Sequence, residues 1–205
     1  MVLDALSAEQ RASVRCSLLR VLGGIANAGA FEALSNALKD QNAAVEDAAV
    51  RALAAWSDAA AAEVLLDIYG RTQNRTHRLL ALRGFARLMA MPAGNRPVEK
   101  TLDMCRRATA RADGEEEQKL VLSALANVAH VETLRMAKPF VHNETVRAEA
   151  ATACIRIAGA ILEAHPVQAR AAMDDVLAVL QDENLRNQAE EIIRKIDSSE
   201  AGVRK

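Results

Sequence analysis

Histidines, cysteines and clustered carboxylates are the residues with which a chain most often does chemistry, and here their spacing argues against it. None of the four histidines, His77, His130, His142 and His165, is followed by Glu, and no two sit at i, i+4. The helical zinc motif is therefore missing. His77 falls at a helix start and reads as a partly buried capping residue; the other three fall in turns and read as exposed. Cys16, Cys105 and Cys154 are far apart and odd in number, which is neither a disulfide framework nor a zinc site. They read as small buried residues on helices. Asp174-Asp175 and Glu190-Glu191 are sequence neighbours, so a helix points the two members of each pair in different directions. "GEEEQ" at 114–118 places acids where a helix opens, and there they favour its N-terminal dipole. There is no glycine-rich phosphate loop and no nucleophile elbow, since "LGGIANAG" reads as a helix end running into a turn. The reading is of no catalytic set, no metal site and no cofactor.

The remaining candidates are arginines. "RTQNRTHRLLALRGFAR", residues 71–87, holds five of them and no acid. Residues 1–70 carry a net charge of −4, residues 71–111 carry +8 and residues 112–205 carry −5, so the overall −1 hides a basic middle. Arginines clustered this way bind anions: carboxylates or phosphates.

The elements that place them follow from a repeated register. With Arg15, Glu46, Arg78, Gln118, Arg147 and Arg186 as position zero, position +7 reads Leu22, Leu53, Phe85, Leu125, Cys154 and Ile193. Position +10 reads Ile25, Trp56, Leu88, Val128, Ile157 and Ile196, and position +6 is small in most copies. Offsets of 4, 7 and 10 mark one face of an α-helix. The zero positions lie 31, 32, 40, 29 and 39 residues apart, with a second apolar segment in each interval. Aromatics are only 2% of the chain, as suits close-packed helices rather than a sandwich of sheets. The expected fold is all-α: an α-solenoid, a right-handed superhelix of about five to six helical hairpins and about eleven helices. The expected domain is a single solenoid over 1–197, with a disordered tail over 198–205.

The runs "LSNALKDQNAAVEDAAVRALAAW" and "LAVLQDENLRNQAEEIIRKI" resemble HEAT repeats, especially the short bacterial kind of the phycobilisome-lyase-like group. Asp40 and Asp182 match the family's turn Asp, and Val14-Arg15, Val146-Arg147 and Leu185-Arg186 match its Val-Arg pair. Glu46 and Gln118 depart from it, so the resemblance implies that the Asp–Arg ladder between repeats is broken there. The scaffold serves many unrelated functions. HEAT-like metal hydroxylases use His-Glu pairs, which this chain lacks. HEAT-like DNA glycosylases need aromatic residues and an acid in a basic groove, and Trp56 with Asp58 invites that comparison; the +10 register makes Trp56 a core residue instead.

Position +5 lies opposite the apolar face and reads Arg20, Arg51, Arg83, Ser123, Thr152 and Glu191, while +9 adds Arg87 and Arg156. In HEAT-like solenoids the second helices line the concave side. Arg20, Arg51, Arg83 and Arg87 are therefore expected to form a basic strip there, with Arg78 at its edge. The expected function is a non-catalytic protein–protein interaction scaffold whose partner is an acidic protein or peptide surface. The alternative is a nucleic-acid-binding HEAT module, or a DNA-glycosylase-like enzyme, using the same groove; the lack of exposed aromatics and the near-neutral charge count against nucleic acid. A phycobilin lyase role rests on the resemblance alone. "MVLDALSAEQ" has no basic signal segment and no apolar run reaches membrane length. The compartment stays open, cytoplasmic by default and extracytoplasmic for a piece of an exported protein. "VLDAL" is too short a first helix to cover Leu18 and Leu22, so the first repeat is expected to pack on an adjoining domain or another copy. The last helix is polar on its outer side, as a capping repeat should be.

Overall fold

The computed structural model describes residues 1–92 and 94–203, for residues 200–203 the backbone alone. Among the described residues there are twelve α-helices, one 3₁₀ turn and no strand. The chain divides into two compact units, Met1–Asn95 and Arg96–Lys205.

The first unit holds α1 (Val2–Ala8), α2 (Ala12–Ile25), α3 (Ala28–Ala37), α4 (Ala43–Ala54), α5 (Ala61–Arg71) and α6 (Arg75–Met89). These are three antiparallel hairpins. The second helices α2, α4 and α6 stack side by side, and α5 packs along α6. Asn27, Asn42 and Asn74 cap α3, α4 and α6 through side-chain oxygens that accept first-turn N–H groups, satisfying donors that a helix start leaves open. The glycine-rich end of α2 closes through Ala26, in the left-handed region at φ 53°, which matches the turn expected of "LGGIANAG".

The second unit holds α7 (Val98–Thr109), α8 (Glu115–Leu125), α9 (Val131–Ala137), the 3₁₀ turn Lys138–His142, α10 (Arg147–Ile161), α11 (Pro166–Val179) and α12 (Glu183–Val203). Within it α10 packs against α8, α9, α11 and α12. The acids of "GEEEQ" fill the first turn of α8, as expected. The helix α12 runs on to Val203, through residues for which a disordered tail was expected; Arg204 and Lys205 lie outside the described residues.

The repeat register holds at +4 and +7 in the first five second helices, whereas in α12 the +7 residue Ile193 is only half covered and Ile192 beside it is buried. Leu19, Val50, Leu82, Leu122 and Ala151 at +4 are buried, as are Leu22, Leu53, Phe85, Leu125 and Cys154 at +7. Glu190, the charged +4 residue of α12, is exposed. The first repeat departs from the pattern. Residues at +6 are buried in α4, α6, α8 and α10, but Val21 in α2 is 52% exposed, and Ile25 at +10 is 44% exposed. The reason is that α4 and α6 each have a preceding second helix to lean on and α2 has none among the described residues. The segment "VLDAL" does form a helix, α1, though it buries none of its own residues. Leu18 is half covered, but Leu22 is fully buried, so the expected gap is narrower than the length of α1 suggested.

Candidate interaction face

The +5 arginines of the first unit are placed by three successive packed helices. Arg20 on α2, Arg51 on α4 and Arg83 on α6 are all exposed, each opposite the buried stripe of its own helix. Arg20 makes no hydrogen bond or ion pair to any described residue. Arg51 is held by Asp47 one turn earlier, Nε to Oδ2 at 2.7 Å. The other oxygen of Asp47 faces His77 Nε2 at 3.1 Å. The Arg51 hydrogen bond is the main reason the Asp47 carboxyl sits below its ordinary pKa; burial opposes it and His77 adds to it. His77 itself is only 5% exposed, in the slot that Val45 and Val146 fill elsewhere.

Arg78 and Arg87 stand apart from the column. Arg78 is half buried: its guanidinium lies 4.7 Å from the Tyr69 ring centroid and reaches the Tyr69 carbonyl at 3.5 Å. Arg78 thus lies against α5, the first helix of its own hairpin, rather than beside Arg83. Arg87 points along the exposed face, but its Nη2 donates to the Ala54 and Trp56 carbonyls at 3.1 and 2.5 Å. In the second unit its +9 counterpart, Arg156, donates to Asn127 Oδ1 at 2.9 Å, again at the end of the preceding second helix. The +9 arginines are struts between repeats.

The position-zero arginines share a task that their common register signalled and the sequence reading passed over. Arg186 donates to the Leu177 and Leu180 carbonyls at 2.7 and 2.8 Å, and Arg147 to the Val141 carbonyl at 3.1 Å. With Arg78 on Tyr69, each closes the carbonyl end of the element that precedes its own helix, groups a helix leaves without partners. Arg15 instead makes the Asp–Arg rung, Nη2 to Asp40 Oδ2 at 2.5 Å across 25 residues. At the same spacing Asn143 Nδ2 donates to Gln118 Oε1 at 3.2 Å. The rung expected to be broken at Gln118 is thus replaced by a neutral amide pair. Glu46, the other departure, has no partner among the described residues.

Trp56 is 2% exposed, with its ring centroid 5.6 Å from that of Phe31. It is a core residue, as its register predicted. The neighbouring Asp58 accepts the Ala60 N–H at 2.7 Å and shapes the turn into α5. None of the five aromatic residues is exposed, so this face presents no ring on which a base would stack. His130 is not an exposed turn residue but the cap of α9, its Nδ1 accepting the Glu132 N–H at 3.0 Å. All three cysteines are buried. Among the described residues no group of His, Cys, Asp and Glu is arranged to hold a metal.

No curated protein matches the chain. The family model described as HEAT repeats matches residues 1–86, a span that covers the three hairpins from α1 to Ala86 of α6. With the hairpin stack, the buried +4 and +7 stripe and the Arg15–Asp40 rung in the same span, that match identifies residues 1–86 as HEAT repeats.

Proposed function

We propose that the first unit is a non-catalytic docking module for an acidic protein surface, bound along the +5 column of α2, α4 and α6. HEAT repeats generally mediate protein–protein interaction and are typically non-catalytic scaffolds. The observation that carries the finer reading is the exposure of Arg20, Arg51 and Arg83 at one register on three consecutive packed helices. Guanidinium groups in such a row suit the carboxylates of a partner segment. The face is that of the second helices, which is the concave one in HEAT-like solenoids. Phosphate would satisfy the same arginines, but a nucleic acid would find no exposed aromatic side chain there. No helix of the described residues is long and apolar enough to cross a membrane.

The test is a fluorescence-anisotropy titration with a twelve-residue polyglutamate peptide and, in parallel, a single-stranded oligonucleotide of similar charge. The wild type should bind the peptide in preference to the oligonucleotide. Arg20→Glu with Arg83→Glu should weaken peptide binding by more than about 2 kcal/mol, since each lost contact becomes a repulsion. The melting temperature of Arg20→Glu alone should barely change, since Arg20 bonds no described residue. Equal peptide binding by the double variant would sink the reading, and preference for the oligonucleotide with a steep salt dependence would move it to nucleic acid.

A further inference from the structure

A separate groove in the first unit uses none of the column arginines. It lies between α3 and α5, encloses about 330 Å³, and is lined by Leu38, Val50, Val64 and Ile68, with Glu46 and His77 among its polar residues. Leu38, Val64 and Ile68 are each left half covered by their neighbours. This volume is at the small end for ligand sites, enough for one long side chain.

The polar groups define the chemistry. Glu46 is half buried and has no partner among the described residues. His77 spends Nε2 on Asp47. An apolar wall with an unspent carboxylate at its edge calls for an alkyl stem ending in a cationic donor. Lysine and arginine side chains have that form. An acidic occupant would meet Glu46 as a like charge. A purely apolar one would strip water from a carboxylate and return nothing. The nearby cations do not fill the role themselves: Arg71 is tied to Asp67 at 3.2 Å, and Lys39 is exposed at the rim with no partner among the described residues.

We propose that this groove docks one lysine or arginine side chain of a partner protein, its stem along Leu38, Val50, Val64 and Ile68 and its charged head on the Glu46 carboxylate.

The experiment is an NMR titration of the full chain, labelled with ¹⁵N, using three probes: N-acetyl-lysine methylamide, the norleucine analogue (the same stem without the charge) and the glutamate analogue. The lysine probe should give saturable shifts gathered on the end of α3, on α5 and at His77. Norleucine should bind about tenfold more weakly, and Glu46→Gln should weaken the lysine probe by a similar factor, as expected for one charge-assisted hydrogen bond. Lys39→Ala should tighten it by removing a like charge. Equal binding of lysine and norleucine by the wild type overturns the proposal without recourse to any variant. So does an unchanged affinity in Glu46→Gln, or a stronger response to the glutamate probe. Shifts at the groove that depend on protein concentration in the absence of probe would assign it to a second copy of the chain and overturn it as well.

Discussion

The Arg87 guanidinium closes the C-terminal end of α4, donating to the Trp56 carbonyl at 2.5 Å and the Ala54 carbonyl at 3.1 Å. Two helix-end acceptors thereby gain a partner from the next hairpin, and the partner is charged, which strengthens the bonds. Arg87→Ala is expected to cost about 1–3 kcal/mol of stability. Arg20→Ala, which breaks no bond to a described residue, should stay within about 0.5 kcal/mol. Chemical denaturation of the two variants side by side distinguishes strut from surface arginine; equal, small losses would show that Arg87 is not a strut.

The same carbonyl sets a second expectation. A Cβ on Gly84 would meet the Ala54 carbonyl oxygen at 2.7 Å and its Cα at 3.0 Å, both backbone atoms that cannot swing aside. Close approach of α6 to α4 therefore depends on glycine there. Gly24 is also helical, but a Cβ on it would meet nothing within 4 Å. Gly84→Ala should destabilise by more than about 1 kcal/mol despite the better helix propensity of alanine, whereas Gly24→Ala should stabilise by about 0.5–1 kcal/mol. Melting curves of both variants check the contrast, and a stabilised Gly84→Ala would mean that the two helices sit farther apart.

The core was legible in the sequence because it is written locally. Offsets of 4, 7 and 10 within one helix located Leu19, Leu53 and Phe85, and they placed Trp56 in the core despite its company with Asp58. The exposed +5 column came from the same arithmetic. Arg87 did not, because its acceptors lie 33 and 31 residues away. Helical register says which way a side chain leaves its own helix. It does not say which end of a neighbouring helix that side chain will meet. Gln118 with Asn143 shows the converse: the 25-residue spacing of Arg15 and Asp40 is written in the chain, but two uncharged residues gave no reason to look for a rung. The groove beside Glu46 was hidden for a related reason. It is made by side chains from separate elements, none of which stands out within its own segment.

Burial makes the cysteines poor nucleophiles. It pushes the Cys105 thiol up to about 11 and the Cys154 thiol up to about 12, against the opposing influence of nearby positive charges at Arg96 and Arg106 and at Lys138. Cys16 is covered as well. Since the thiolate is the reactive form, the native protein at pH 8 should leave a disulfide reagent almost untouched. All three thiols should react once guanidinium unfolds the chain. A rapid reaction of one thiol in the native protein would place that residue at the surface and break the packing described for its helix.

The Arg15–Asp40 rung should make stability depend on pH at the acid end. Asp40 Oδ1 accepts the Asn42 N–H at 2.9 Å, and Oδ2 accepts Arg15 Nη2 at 2.5 Å. The Asn42 bond and then the arginine hold the carboxyl below its ordinary value of 3.8, with burial opposing them. A group whose folded pKa is depressed binds its proton more readily in the unfolded chain. Its contribution is therefore complete above the unfolded value and is lost as pH falls through the folded one. Other carboxylates titrate in the same range, so the informative quantity is the difference between wild type and Asp40→Asn, which keeps the shape and a carbonyl acceptor but cannot ionise. At pH 7 the variant should melt lower, by an amount corresponding to about 1 kcal/mol. As the pH is taken below about 4, the two melting temperatures should converge, because the wild-type carboxyl loses the charge that the variant never had. A gap of constant size from pH 7 to pH 2 would mean that the charge of Asp40 contributes nothing to the rung, and that Arg15 is held there by packing alone.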